Sequence, residues 1–352
     1  MKKLFSLLLA SVLAVSMFAV PAAAEGTEEK TEPKKNDKGQ IEISTAEELA
    51  AVADDLTADY ILTADIDLAG IEWTPIGTYG PSGESEEEQE IPDAALAFTG
   101  TFDGDGHKIS NLTINQPEGW ALGLFGCISE AKVGNFTLEN ASVTGTVMVS
   151  DIVGYAFMSE VNNADLTGGV ITVRATEISA EGMYGGVVGA GMGSRIDGCD
   201  AEAVIVIPEG TANAGIVGGG LEMTSVVNST AKGAIIAGHN CYGIGGISGC
   251  GFGAEEFTDC TAEDVVIVAG KDNFWIGGIT GYAGGYSDES YGLPVTAFTN
   301  CNTKNVQIIA AEETEGLGDI VGAGFYNEDV AELMGAPFDN PTEYTLENCT
   351  AE

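Results

Sequence analysis

The chain is poor in cations, imidazoles and indoles. Among 352 residues there are 13 Lys and Arg against 54 Asp and Glu, which leaves a formal net charge of −41, with 2 His and 3 Trp. A nucleic-acid binder needs a basic face to neutralise phosphates, and so few cations among so many acids cannot build one. No HExxH and no CxxC occurs, which removes two common zinc signatures. Gly does not recur at every third position, so a collagen is excluded. Beyond Val20 no apolar run approaches the ~20 residues that cross a bilayer as a helix. What the chain has instead is 49 Gly, about twice ordinary usage. It is also 44% apolar with a mean hydropathy of +0.13, too apolar for a charged disordered chain.

The first residues read as a targeting segment. Lys2 and Lys3, an apolar run from Leu4 to Val20, and Ala22-Ala23-Ala24 form the three parts of a secretory signal peptide over residues 1–24. Removal of that segment would leave a net charge of −43. No Cys follows the cleavage pattern, so a lipid anchor is not expected. Residues 25–40 (EGTEEKTEPKKNDKGQ) are polar without apolar period and read as a flexible linker.

The remainder is a repeat. A Gly or Asp, an aliphatic residue, a variable residue and a Gly recur as GLFG, DIVG, GVVG, GIVG, GISG, GITG and DIVG. They end at Gly126, Gly154, Gly189, Gly218, Gly249, Gly281 and Gly322, spaced by 28, 35, 29, 31, 32 and 41 residues. In phase with them runs a column of turn formers: Asn111, Asn135, Asn163, Gly198, Asn228, Asp259, Asn300 and Asn348. These residue types tolerate the left-handed backbone region. Short β-branched runs follow: Val170–Val173, Val204–Ile207, Ala234–Ala237, Val265–Val268 and Val306–Ile309. No unit of this size buries an apolar face alone, but stacked units do. The pattern predicts an all-β parallel β-helix of about eight coils, on the order of 40 Å long at strand spacing. A propeller or sandwich is the alternative, but units near thirty residues with about three strands fit a coil better than a four-stranded blade. Residues 41–59 read as an N-terminal cap with a short helix: Thr45 and Glu48 have capping-box spacing, and Leu49, Val52, Ala53 and Leu56 form one apolar stripe. Residues 60–352 form the β-helix. At the other end Asn348–Glu352 repeats Asp259–Glu263, and the last coil carries no cap of its own, which fits either a truncated chain or a partner on that end.

With their spacing, these Gly-aliphatic-x-Gly units resemble the GLUG repeats of bacterial secreted and surface proteins. Ile43–Leu49, Tyr60–Leu68 (YILTADIDL), Trp73–Gly77 and Phe98–Ile114 (FTGTFDGDGHKISNLTI) resemble the entry region of right-handed parallel β-helices that carry such repeats. The resemblance covers residues 41–352. It implies an extracellular or cell-surface location and the right-handed helix. GLUG repeats also lie beside IgA-cleaving metallopeptidase domains, but without HExxH that activity is not carried over.

Candidate chemistry is sparse. Asp103 and Asp105 before His107 look like the start of a calcium loop, but Lys108 and Ile114 stand where such a loop needs Gly and Glu, so the stretch reads as a turn. His239 follows a Gly, as in pectin-hydrolysing β-helices, but the adjacent strands carry no paired Asp for acid–base work. Lyase-type helices need basic residues beside calcium, and the chain's two arginines, Arg174 and Arg195, have no acidic cluster of that form nearby. Seven Cys occur, and Cys199, Cys260, Cys301 and Cys349 share one slot with Ser229, Phe136 and Ala164. That mixture describes an inward packing position, although strand spacing also allows Cys260–Cys301 or Cys301–Cys349 bridges. The Asn-x-Ser/Thr triplets read as corner residues rather than glycan acceptors. Three insertions break the rhythm: 78–97, with Glu84, Glu86–Glu88, Glu90 and Asp93, then 282–297 and 323–345. Insertions in solenoids map to loops, often on a binding face. Tyr282, Tyr286, Asp288, Tyr291 and Tyr326 are therefore the candidate ligand-binding residues.

No catalytic residue, metal ligand or cofactor is assigned, although the acidic loops allow calcium. The expected function is a surface-associated adhesion or binding module without catalysis, with extracellular glycans, mucins or cell-surface proteins as partners. The alternatives are a polysaccharide-active enzyme, and a purely structural self-associating surface protein.

Overall fold

A computed structural model describes residues 33–80, 91–174, 182–210, 212–252, 256–284, 296–322 and 344–352. The architecture is a parallel β-solenoid, and every ladder between its strands is parallel, apart from one isolated antiparallel bridge of Lys35 and Ile41 before the first coil. Each full coil visits three sheets in a fixed order. One coil runs through Tyr184–Gly185, Val188–Met192, Arg195–Asp197 and Asp200–Ile207. The next follows thirty residues later through Ala212–Gly215, Gly218–Glu222, Ser225–Val227 and Thr230–Ala237. The first strands of the coils stack into a seven-stranded sheet, the second into a six-stranded sheet, and the last two of each coil into a bent sheet of twenty strands. The described stack is thus slightly shorter than the eight coils expected.

The bend in the large sheet is the Asn corner. All eight corner residues lie in the left-handed region, with φ between 49° and 66°. Their amides also tie coil to coil. Asn135 Nδ2 donates to Asp103 Oδ1 at 3.1 Å and Asn163 Nδ2 to Asn135 Oδ1 at 3.0 Å. Gly198 interrupts the ladder, which resumes as Asn228 to Asp197 at 2.9 Å, Asn300 to Asp259 at 2.9 Å and Asn348 to Asn300 at 3.4 Å. The repeat glycines have a different purpose. A Cβ on Gly154, Gly189, Gly249, Gly281 or Gly322 would sit closer than 3.0 Å to backbone atoms of the seven-stranded sheet, because the two small sheets pack backbone to backbone there. The register places Val188 against Gly218, so the residue that continues this column is Gly219, one later than the GIVG phasing put it. Gly219 makes the same backbone approach, whereas a Cβ on Gly218 would meet only the Leu221 side chain.

The core is a set of columns. It begins aromatic, with Phe102 edge-on to Phe125 at 5.2 Å and to Phe136 at 5.8 Å. It continues through Ile171, Ile205, Ile235 and Ile267, which are in register and fully buried. The slot after the corner is inward, with Phe136, Ala164, Cys199, Ser229, Cys260 and Cys301 all buried. At the N-terminal end the helix spans Ala46–Ala50, and Thr45 Oγ1 accepts the Glu48 N–H at 3.2 Å. The Glu48 carboxylate accepts the N–H of Ser44 at 2.7 Å, so the box closes one residue early. Leu49 and Val52 are buried, but Ala53 is exposed. The helix tightens to a 3-10 turn over Ala51–Asp54, and the narrower winding rotates Ala53 out of the apolar stripe.

Candidate functional site

The corners and core absorb most of the residues with chemical potential. His107 Nδ1 lies 3.0 Å from Asp65 Oδ1, and Asp65 also accepts the Lys108 N–H at 3.0 Å. These hydrogen bonds hold the Asp65 carboxyl below the usual carboxylate range and close the Asp105-Gly106 turn, whose φ values are 47° and 80°. His239 Nδ1 accepts the backbone N–H of Lys271 at 2.9 Å, which joins two neighbouring coils. Both imidazoles therefore serve as turn partners. The cysteines are free thiols. Burial pushes Cys127 and Cys199 up to about 12, so these thiols are poor nucleophiles. Among the described residues no group of three or more His, Cys, Asp or Glu is placed to hold a metal ion.

Asp151 breaks the pattern. It opens the first DIVG unit, at the tight turn where the next three coils have Gly186, Ile216 and Gly246. Its side chain is fully buried, and neither carboxylate oxygen has a hydrogen-bond partner. Gly169 makes room for it, since a Cβ there would lie closer than 3.0 Å to Asp151 Oδ2. Burial alone pushes this carboxyl up to about 8. No substrate reaches it without opening a coil. The equivalent Asp319 is exposed. Burial thus separates two copies of one tetrapeptide that look identical in the sequence.

The outer surface carries two apolar features. The first is aromatic and lies where the two small sheets meet. Trp275 stacks on Tyr282 at 4.7 Å with 28° between the rings, and Tyr242 lies edge-on to Trp275 at 6.2 Å. Tyr79 and Tyr155 form a similar edge contact at 5.4 Å on the earlier coils. Trp275 is held outward by a left-handed φ of 55°, part of a column with Ala121, Met148, Asn213, Gly243 and Gly316. Of the candidate ligand residues, Tyr282 is therefore half-buried in an aromatic cluster. Tyr286, Asp288, Tyr291 and Tyr326 lie outside the described residues.

The second feature is the outer face of the large sheet. The inward Ile column is flanked by two outward columns. Val170, Val204, Ala234 and Val266 form one, and Val206, Ile236, Val268 and Ile309 form the other. Ile236 is 44% and Ile309 54% exposed. Alternate residues of each β-branched run therefore face outward.

No family model matches the chain. Over 111 residues, 30% of its length, it is 43% identical to a segment of "Halomucin" from Haloquadratum walsbyi, of which it spans 1%. Over 90 residues, 26% of its length, it is 36% identical to the "Putative Gly-rich membrane protein" of Evansella cellulosilytica, of which it spans 8%. A crystal structure from Bacteroides ovatus, named as a "putative immunoglobulin A1 protease", superposes with a TM-score of 0.58 at 18% identity, covering 90% of this chain and 85% of that one. At that identity the likeness is one of fold, and the chain shares the β-solenoid architecture of that structure.

Proposed function

We propose that the protein is an exported, surface-associated solenoid of GLUG-type repeats that works by display rather than by catalysis. The observation that carries this reading is the register. One chain repeats each outward side-chain position at strand spacing over successive coils, which suits multipoint recognition of a repetitive ligand. The matched segments of the Haloquadratum and Evansella proteins, named as a halomucin and a membrane protein, support a location at the cell surface. The ligands would be extracellular glycans, mucins or surface proteins. The aromatic cluster of Trp275 and Tyr282 offers ring faces for sugar C–H groups, and Tyr286, Asp288, Tyr291 and Tyr326 are the further candidate ligand residues. Calcium would assist where anionic glycans meet an acidic protein.

A glycan and mucin binding screen of the chain, with and without calcium, tests this directly. Saturable binding with no release of reducing ends or unsaturated products is expected. Product release with turnover would replace the reading by a polysaccharide-cleaving one.

A further inference from the structure

The outer face of the large sheet is an unusual surface for this chain. Across five adjacent coils its two columns, centred on Ala234, Ile236, Val266 and Val268, carry no charge. Elsewhere the chain has a net charge of −41. The exposed apolar surface is on the order of 400 Å², near the largest patch a monomer ordinarily shows.

One border of this patch is a ladder of charges. Glu202 is in register with Lys232, Lys232 Nζ pairs with Glu263 Oε2 at 3.2 Å, and Glu263 is in register with Lys304. Along these four positions the signs alternate and sum to zero, and the inserted Asp264 beside Glu263 adds one exposed acid. Two of the chain's 13 cations stand on this short row.

We infer that this face docks a second copy of the chain, face to face about a two-fold axis that runs along the strands and passes between the strands of Ile236 and Val268. Such an axis reverses the order of coils while keeping each position along the strand. The ladder then lies over its own reverse: Glu202 meets the partner's Lys304, and Lys232 meets the partner's Glu263. Ile236 packs on the partner's Val268. No other register of the ladder places every charge opposite its complement. A two-fold contact is self-complementary by construction. A standard interface buries ~800 Å² per partner, somewhat more than half of it non-polar. The two columns supply that non-polar core, and the ladder with its neighbours supplies the polar rim. This inference stands apart from ligand display, since a mass measurement decides the one and a ligand screen the other.

Sedimentation of the full chain from about 1 to 100 µM in 0.15 M salt tests it. The expected result is a monomer–dimer equilibrium that Ile236→Lys weakens by roughly 100-fold or more. Lys232→Glu weakens it as well, and the swap of Lys232→Glu with Glu263→Lys recovers part of that loss, because the pairs across the two-fold axis survive the exchange while Glu202 and Lys304 each gain a like charge in register. Circular dichroism confirms the fold of each variant, and Val204→Lys replaces Ile236→Lys if the latter fails to fold. A monomer over the whole range would overturn the inference. So would a dimer indifferent to Ile236→Lys, or one that Lys232→Glu leaves unchanged.

Discussion

Ile235 and Ile236 are adjacent, have the same side chain, and differ in everything else. Ile235 is 0% exposed, in register with Ile205 and Ile267, and Ile236 is 44% exposed between Val206 and Val268. Asp151 provides the inverse case, an acid sealed where Gly186, Ile216 and Gly246 stand on the following coils. The alternation of a strand decides only which side a residue faces. What it gains there depends on what covers that side. Ile235 stabilises the fold, Asp151 costs it stability, and Ile236 contributes little until something packs on it.

Five substitutions probe that contrast, and denaturant or thermal unfolding reads each of them. Asp151→Asn should have the largest effect. With a native pKa of about 8 and an ordinary value of 3.8, the native state retains a proton that the unfolded chain releases between those limits. The contribution of Asp151 to stability therefore falls as pH rises from about 4 to about 8 and is flat outside that window. The Asn variant should be more stable by on the order of 4 kcal/mol at pH 7, with the gain vanishing near pH 4. An unchanged pH dependence in the variant would remove Asp151 as the cause. Ile235→Ala should cost about 3 kcal/mol, the usual cost of a cavity in a packed column. Gly219→Ala should cost about 2 kcal/mol, because its Cβ meets backbone, while Gly218→Ala should cost well under 1 kcal/mol, because only Leu221 must give way. Equal costs at the two glycines would contradict the register between Val188 and Gly218. Ile236→Ala should change stability by less than about 0.5 kcal/mol below the concentration at which copies pair.

Much of the scaffold was legible because its devices are local. A left-handed corner asks for Asn, Asp or Gly whatever the tertiary context, so the corner column could be read from Asn111 to Asn348. A shared inward slot was legible in the interchange of Phe136, Ala164, Cys199 and Ser229. Phase was harder where the sequence is degenerate. In Gly218-Gly219-Gly220 any frame satisfies a glycine pattern, and only the packing of the two small sheets selects Gly219. The run Val265–Val268 was one residue out of step with Ala234–Ala237, because Asp264 adopts a φ of 54° and inserts a residue before Val265. Two features were not legible at all. Nothing local distinguishes Asp151 from Asp319, since burial depends on the coils above and below. The sequence also shows β-branched runs without showing that their second face is left uncovered. Of the candidate ligand residues, Tyr282 alone falls within the described residues, where it stacks on Trp275.

The repeated outer faces all depend on the in-register parallel stack, which distances between spin labels measure. Thr144, Thr172, Val206, Ile236, Val268 and Ile309 occupy one outward column on successive coils. Labels at Thr144 and Val206, Thr144 and Ile236, Thr144 and Val268, and Thr144 and Ile309, diluted with unlabelled chain, should give separations that grow by about 4.8 Å for each coil crossed. Separations that stop growing, or that fail to rise in the order of the coils, would contradict the stack and with it the repeated outer faces on which the proposed recognition depends.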